Sequence, residues 1–249
     1  MSWLRPKASS TYAVYSGALL ATLGCGGQSS ADAVARVQPP PALLDACEAQ
    51  VARAGAALID DFEDGDLHLN ERDRFRGAWY LNNDGTGTQL PPVMVDSAPA
   101  PLLEGPGAPT SPQLALHTSG SNFSLWGAFV AARFNAEQGK VCTFDLSQFD
   151  RISFSAKGVG SVRVNLGTLT TTPVEDGGAC GLAVCSDYGQ DVTLSDDWQA
   201  VDIDFAELTQ PRWASPAAWA PEQALRLAFW SGSGDFDFWI DDVRFERSP

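Results

Sequence analysis

Leu58-Ile59-Asp60-Asp61-Phe62-Glu63-Asp64-Gly65-Asp66 stands near the start of the folded part of the chain, and Phe236-Asp237-Phe238-Trp239-Ile240-Asp241-Asp242-Val243-Arg244-Phe245 stands near its end. Both interleave carboxylates with large apolar side chains. Successive side chains of a strand point to opposite faces, so each stretch can lie in a sheet and still present oxygen. The pair predicts a β-sandwich whose first and last strands meet and share a hard cation. Calcium suits such a place, because it takes roughly six to eight oxygens, backbone carbonyls included, in irregular geometry. An EF-hand is excluded. Asp60, Asp64, Gly65 and Glu71 fall at its first, fifth, sixth and twelfth positions, but Phe62 would occupy the third and no amphipathic helix flanks the loop.

Between these ends lie short alternating runs separated by Gly, Pro, Asn and Asp. Expected strands are Ala57–Phe62, Ala78–Asn82, Gln113–Thr118, Leu125–Phe134, Arg151–Ala156, Ser161–Leu166, Asp191–Leu194, Trp198–Phe205, Leu225–Trp230 and Asp235–Glu246. Many short strands without helical periodicity mean an all-β, antiparallel sandwich over residues 57–249, long enough for a core of its own. Asp96 to Pro112 reads as a long surface loop. Leu43, Leu44, Cys47 and Val51 recur at helical spacing, so residues 43–56 are expected to form a short helix. Residues 25–42, with Pro39-Pro40-Pro41, read as a flexible tether.

The first 24 residues read as a targeting peptide. Arg5 and Lys7 precede an apolar run, Tyr12 to Leu23, that is too short to span a bilayer. The run ends in Leu23-Gly24-Cys25-Gly26-Gly27, which resembles the lipobox of bacterial lipoproteins. That resemblance implies lipidation of Cys25 and a cell-envelope address, with the outer membrane expected because no aspartate follows the cysteine. Without acylation the protein is expected to be secreted. Four cysteines remain, an even number for an oxidising compartment. Cys180 and Cys185 flank a short loop and are the expected pair, leaving Cys47 with Cys142. The net charge is −15, and removal of Arg5 and Lys7 makes it two units more negative. Such a chain does not bind nucleic acid or anionic membrane electrostatically, and it is compatible with neutral ligands and divalent cations.

The phrases Asp61-Phe62-Glu63-Asp64-Gly65 and Trp239-Ile240-Asp241-Asp242-Val243-Arg244-Phe245 resemble the terminal strands of jelly-roll carbohydrate-binding modules of the galactose-binding-like superfamily, family 11 above all. Trp126-Gly127-Ala128 and the run from Trp198 through Leu208-Thr209-Gln210 to Trp213 belong to the same resemblance. It implies a jelly roll that binds polysaccharide without hydrolysing it, as a monomer. It also implies a structural calcium held by Glu63 and Asp241, with Asp61 and Asp242 in reserve, and a groove on the concave sheet.

Sugars are recognised by aromatic faces and by planar polar groups. In Ser161-Val-Arg-Val-Asn-Leu166, Val162, Val164 and Leu166 face one way and Arg163 and Asn165 the other. Arg163 and Asn165 are therefore groove candidates, since an Arg inside a strand needs a partner or a ligand. Asp187 and Tyr188 after Cys185, Trp79, Tyr80 and Asp84 on an early strand and its turn, and Gln210 and Trp213 after Phe205 complete the ligand-binding set. Trp198 and Trp239 are expected in the core, and His68 and His117 in solvent or loops. No Gly-x-Ser-x-Gly elbow or P-loop occurs. Two other readings stay open: a structural or adhesion lipoprotein with this fold, and a small carboxylate-dependent glycan hydrolase.

Overall fold

The computed structural model describes residues 50–51, 55–92, 102–137 and 140–247. The expected targeting peptide, Cys25, the tether, Cys47 and most of the expected helix lie outside them. Gln50 and Val51, expected at the end of that helix, instead form a two-residue strand, β1. It pairs in parallel with β9, Phe144–Asp145.

The architecture is an antiparallel sandwich built on two long strands. β6 (Ala115–Arg133) and β14 (Ala224–Glu246) each merge two runs that the sequence separates. Their C- and N-terminal halves pair as Phe129↔Trp230 and Arg133↔Arg226, and their other halves as Leu116↔Ile240 and Ser119↔Asp237. The register shifts three times between Trp230 and Phe236, so both strands pass from one layer to the other. One layer runs β3 (Trp79–Asn83), β6, β14, β11 (Ser161–Thr168), β12 (Tyr188–Thr193). The other combines β6 and β14 with β4 (Thr88–Leu90), β5 (Leu102–Glu104), β10 (Arg151–Val159), β13 (Gln199–Asp204) and β2 (Ala57–Asp60). β7 (Ala136–Glu137) and β8 (Lys140–Val141) form a separate hairpin. β2, the first of the expected strands, does meet the last, β14, with Asp60 opposite Val243.

The core lies between the layers. Phe62, Phe75, Phe134, Phe144, Phe229, Phe238 and Phe245 are fully buried in it. Trp198 and Trp239 are not core, contrary to expectation. Trp239 is half-buried on the outer face, because it alternates with the buried Phe238 and Ile240. It stacks on His117 at 3.8 Å, and Lys157 Nζ lies 4.8 Å from its ring and 4.9 Å from that of Trp198. His117 is likewise no solvated loop residue. It sits in β6 with Nδ1 2.8 Å from Glu104 and Nε2 2.7 Å from Asp237.

Candidate functional site: a tryptophan-lined groove

The register of the first layer fixes a row structure on its outer face. Directly paired residues point the same way. One row across the sheet is therefore Asn82, Phe129, Trp230, Arg163 and Asp191. The next is Tyr80, Ala131, Ala228, Asn165 and Gly189. Ala131, Ala228 and Gly189, the small residues of this second row, leave a trough beside the larger groups of the first. At Gly189 a Cβ would lie 2.1 Å from Asn165 Oδ1, so the floor admits no side chain there.

Loops raise the walls into two adjoining clefts of about 510 and 400 Å³. Trp126, Trp213, Trp230 and Ser186 line both, making one continuous groove. Trp126 is 37% and Trp213 63% exposed. Trp126 stacks over Phe129 at 5.9 Å and meets Trp230 edge-on at 5.8 Å. The Trp230 indole N–H donates to the Trp126 carbonyl at 2.5 Å, fixing the pair.

The polar part of the wall is a buried ion cluster. Arg226 contacts Asp187 at 3.0 Å and Asp176 at 3.3 Å. Asp187 accepts further bonds from the hydroxyls of Thr171 at 2.9 Å and Thr172 at 3.3 Å. Burial alone would push the Arg226 guanidinium down, but Asp187, Tyr80 and Asp176 outweigh it and hold it well above its ordinary value.

The sequence-derived ligand set divides. Arg163, Asn165, Asp187 and Trp213 line the groove. Arg163 has found partners within the chain: it donates to the carbonyls of Gly189 at 2.9 Å and Thr209 at 2.6 Å and pairs with Asp191 at 3.4 Å. Tyr80 belongs to the grooved face but lies under Arg133, whose guanidinium is 4.8 Å from its ring. Four expectations need correction. Trp79 is core, 3% exposed, with its indole N–H donating to Asp60 at 2.9 Å. Tyr188 pairs with the buried Leu166 and so faces inward, its hydroxyl bonded to the Ala217 carbonyl at 2.6 Å. Asp84 is spent on its own turn and on the Gly127 N–H at 2.6 Å. Gln210 braces loops, donating to Ser186 and accepting from Ala217. Residues the sequence reading did not place in the groove are Asn82, Trp126, Phe129, Arg226 and Trp230.

A second constellation gathers on segment 107–114. Asp241, fully buried, accepts from the N–H of Ala108 at 2.7 Å and of Asp242 at 2.8 Å. Glu63 accepts from the N–H groups of Gln113 and Leu114 at 2.9 and 3.1 Å. Asp242 bonds the Thr110 hydroxyl, and the Ser111 hydroxyl donates to the Asp61 carbonyl at 2.9 Å. Burial, then the charges of Asp242 and Glu63, raise Asp241 from 3.8 to about 7. These donors are hard oxygens of the kind calcium takes; Asp242 is paired with Arg244 at 3.1 Å, whereas among the described residues no positive side chain pairs with Asp241. Among the described residues no three carboxylate, imidazole or thiolate side chains already converge, so such an ion would draw on backbone carbonyls as well.

No family model and no curated protein matches the chain. Solved structures do. The chain is similar to the family 11 carbohydrate-binding module from Clostridium thermocellum in complex with a β-1,3-1,4-mixed-linked tetrasaccharide, at 14% identity over 79% of this chain and 98% of that one, TM-score 0.48. It is also similar to a family 30 carbohydrate-binding module, at 15% identity over 80% and 90%, TM-score 0.49. A third is the family 30 module of a cellulosomal cellulase of Clostridium thermocellum, at 15% over 78% and 98%, TM-score 0.47.

Proposed function

We propose that the groove binds a glycan chain without cleaving it. The observation that carries this reading is the continuous trough in which Trp126, Trp213 and Trp230 flank a floor of small residues. Indole faces pack on the apolar C–H faces of sugars, and Asn82 and Asn165 supply planar polar groups for hydroxyls. Non-catalysis is favoured by the state of the carboxylates. A glycosidase works with two carboxyl groups; in the groove Asp176 and Asp187 serve Arg226 and Asp191 pairs with Arg163, which leaves the exposed Glu175 without a second carboxyl group of its kind among the described lining residues. Glycan-array binding of the soluble domain tests the reading. Trp126→Ala should weaken binding by about 1–3 kcal/mol while leaving the melt in place. Absence of any glycan ligand, or a Trp126→Ala variant that binds like the parent, would overturn it.

The proposal extends to the two ends of the chain. Glu63 and Asp241, with Asp61 and Asp242 beside them, hold a structural calcium that draws segment 107–114 against the terminal strands. Cys25 carries the lipid that displays the domain at the cell envelope.

A further inference from the structure

The most exposed tryptophan of the groove is Trp213. Trp213 belongs to the segment from Gln210 to Ala217, which has no strand of its own. The Tyr188 hydroxyl holds its far end at the Ala217 carbonyl, 2.6 Å away, and the other hydrogen bonds that tie the segment to its surroundings converge on one place. The Ser215 N–H donates to the Val184 carbonyl at 3.0 Å. The Val184 N–H donates to the Ser215 hydroxyl at 3.2 Å. The Gln210 amide donates to the Ser186 carbonyl at 2.7 Å and accepts from the Ala217 N–H at 2.8 Å. The platform for Trp213 is thus the backbone of residues 184–186.

That platform is itself held by a covalent bond. Gly181, Leu182, Ala183 and Val184 are all exposed, so no buried side chain anchors them. They are closed into a loop by the Cys180–Cys185 disulfide. Cys180 is buried and its N–H donates to the Thr172 carbonyl at 3.1 Å, next to the Thr171, Thr172 and Asp187 network. A crosslink removes conformational freedom that such a segment otherwise keeps.

We propose that Cys180 and Cys185 are positioning residues for Trp213: their disulfide fixes Val184 and Ser186, which hold the indole over the groove. The inference rests on the glycan-binding reading for its purpose, but not for its geometry.

The test uses protein labelled with 5-fluorotryptophan, the Trp213 fluorine signal being assigned by its loss in Trp213→Phe. In Cys180→Ser/Cys185→Ser the Trp213 signal should move toward its position in the unfolded chain, while the signal of core Trp79 stays. Ser215→Ala, which cuts one bond of the clamp and leaves the disulfide, should move the same signal part of the way. An unmoved Trp213 signal, or one that moves only together with Trp79, overturns the proposal. With the β-1,3-1,4-mixed-linked tetrasaccharide as probe, Trp213→Ala and the double serine variant should each lose about tenfold in affinity, and their combination no more than either. Fully additive losses would also overturn it. If the parent does not bind the tetrasaccharide while the Trp213 signal moves as described, the positioning role stands and the ligand assignment falls.

Discussion

Arg226 shows how one residue can shape the groove without being offered to the ligand. Its guanidinium, 14% exposed, is neutralised by Asp187, 7% exposed, and by Asp176. Removing one partner of a buried pair leaves the other charge desolvated and unpaired. Arg226→Met should therefore destabilise the domain by about 3–5 kcal/mol in denaturant unfolding. Adding Asp187→Leu should return part of that loss; a double variant as weak as the sum would show that the pair is not coupled. Arg226 was legible in the sequence. The alternation that exposes Arg163 and Asn165 applies equally to Leu225–Trp230, where Leu225, Leu227 and Phe229 are buried and Arg226, Ala228 and Trp230 face the groove. Trp79 and Tyr188 were not legible. Trp79 stands between Ala78 and Tyr80 and Tyr188 between Asp187 and Gly189, and the inward direction of each follows only from the residue it pairs with, Ala132 for Trp79 and Leu166 for Tyr188.

At the level of elements, the existence of strands was readable and their continuity was not. The sequence shows gaps at Gly120–Ser124 and at Ser231–Gly234, yet β6 and β14 run through them. The gaps are where the strands change layer. Gly127 lies at φ +88°, and a Cβ there would fall 1.6 Å from the Gly232 carbonyl oxygen. This close crossing sets the bend that carries Trp126 and Trp230 to the groove. Gly127→Ala should lower stability by at least about 1–3 kcal/mol in thermal or denaturant unfolding. It should also move the fluorescence of the Trp126–Trp230 pair; a variant with parental stability would mean that the crossing is not needed. A bulge accounts for the acidic end of β14. Ser153 pairs with Arg244 but Ser155 pairs with Asp241, so two residues on β14 face one on β10. Asp242 lies at φ +52° in that bulge. Ile240, Asp241, Asp242 and Val243 are consequently all buried, a break of alternation that the sequence pattern alone does not announce.

Over the whole molecule the excess of acid, −15 in net charge, makes the site of each buried carboxylate consequential. The proposed anchor places a lipid on Cys25, so Cys25→Ser should shift the protein from the detergent phase to the aqueous phase; unchanged partitioning would defeat the lipid anchor. Folding stability depends on Asp60 and Asp241. Burial is the main reason that both are raised from 3.8 to about 7. Each binds its proton more tightly folded than unfolded, so its contribution is fully present below about pH 4 and is lost as pH rises toward about 7. With chelator present the melting temperature should accordingly fall across that window. The proposed calcium would reverse the Asp241 part of the trend, because such an ion needs the ionised carboxylate. The chelator effect should then be small near pH 4 and largest at pH 7 and above. At a calcium concentration about a hundred times its dissociation constant it should reach roughly 2.7 kcal/mol. Glu63→Ala should abolish it, since Glu63 is the carboxylate that accepts from the Gln113 and Leu114 N–H groups of segment 107–114. A wild-type melt at pH 8 that does not respond to chelator would remove calcium from the account and leave segment 107–114 held by its hydrogen bonds to Asp241, Asp242, Glu63 and the Asp61 carbonyl.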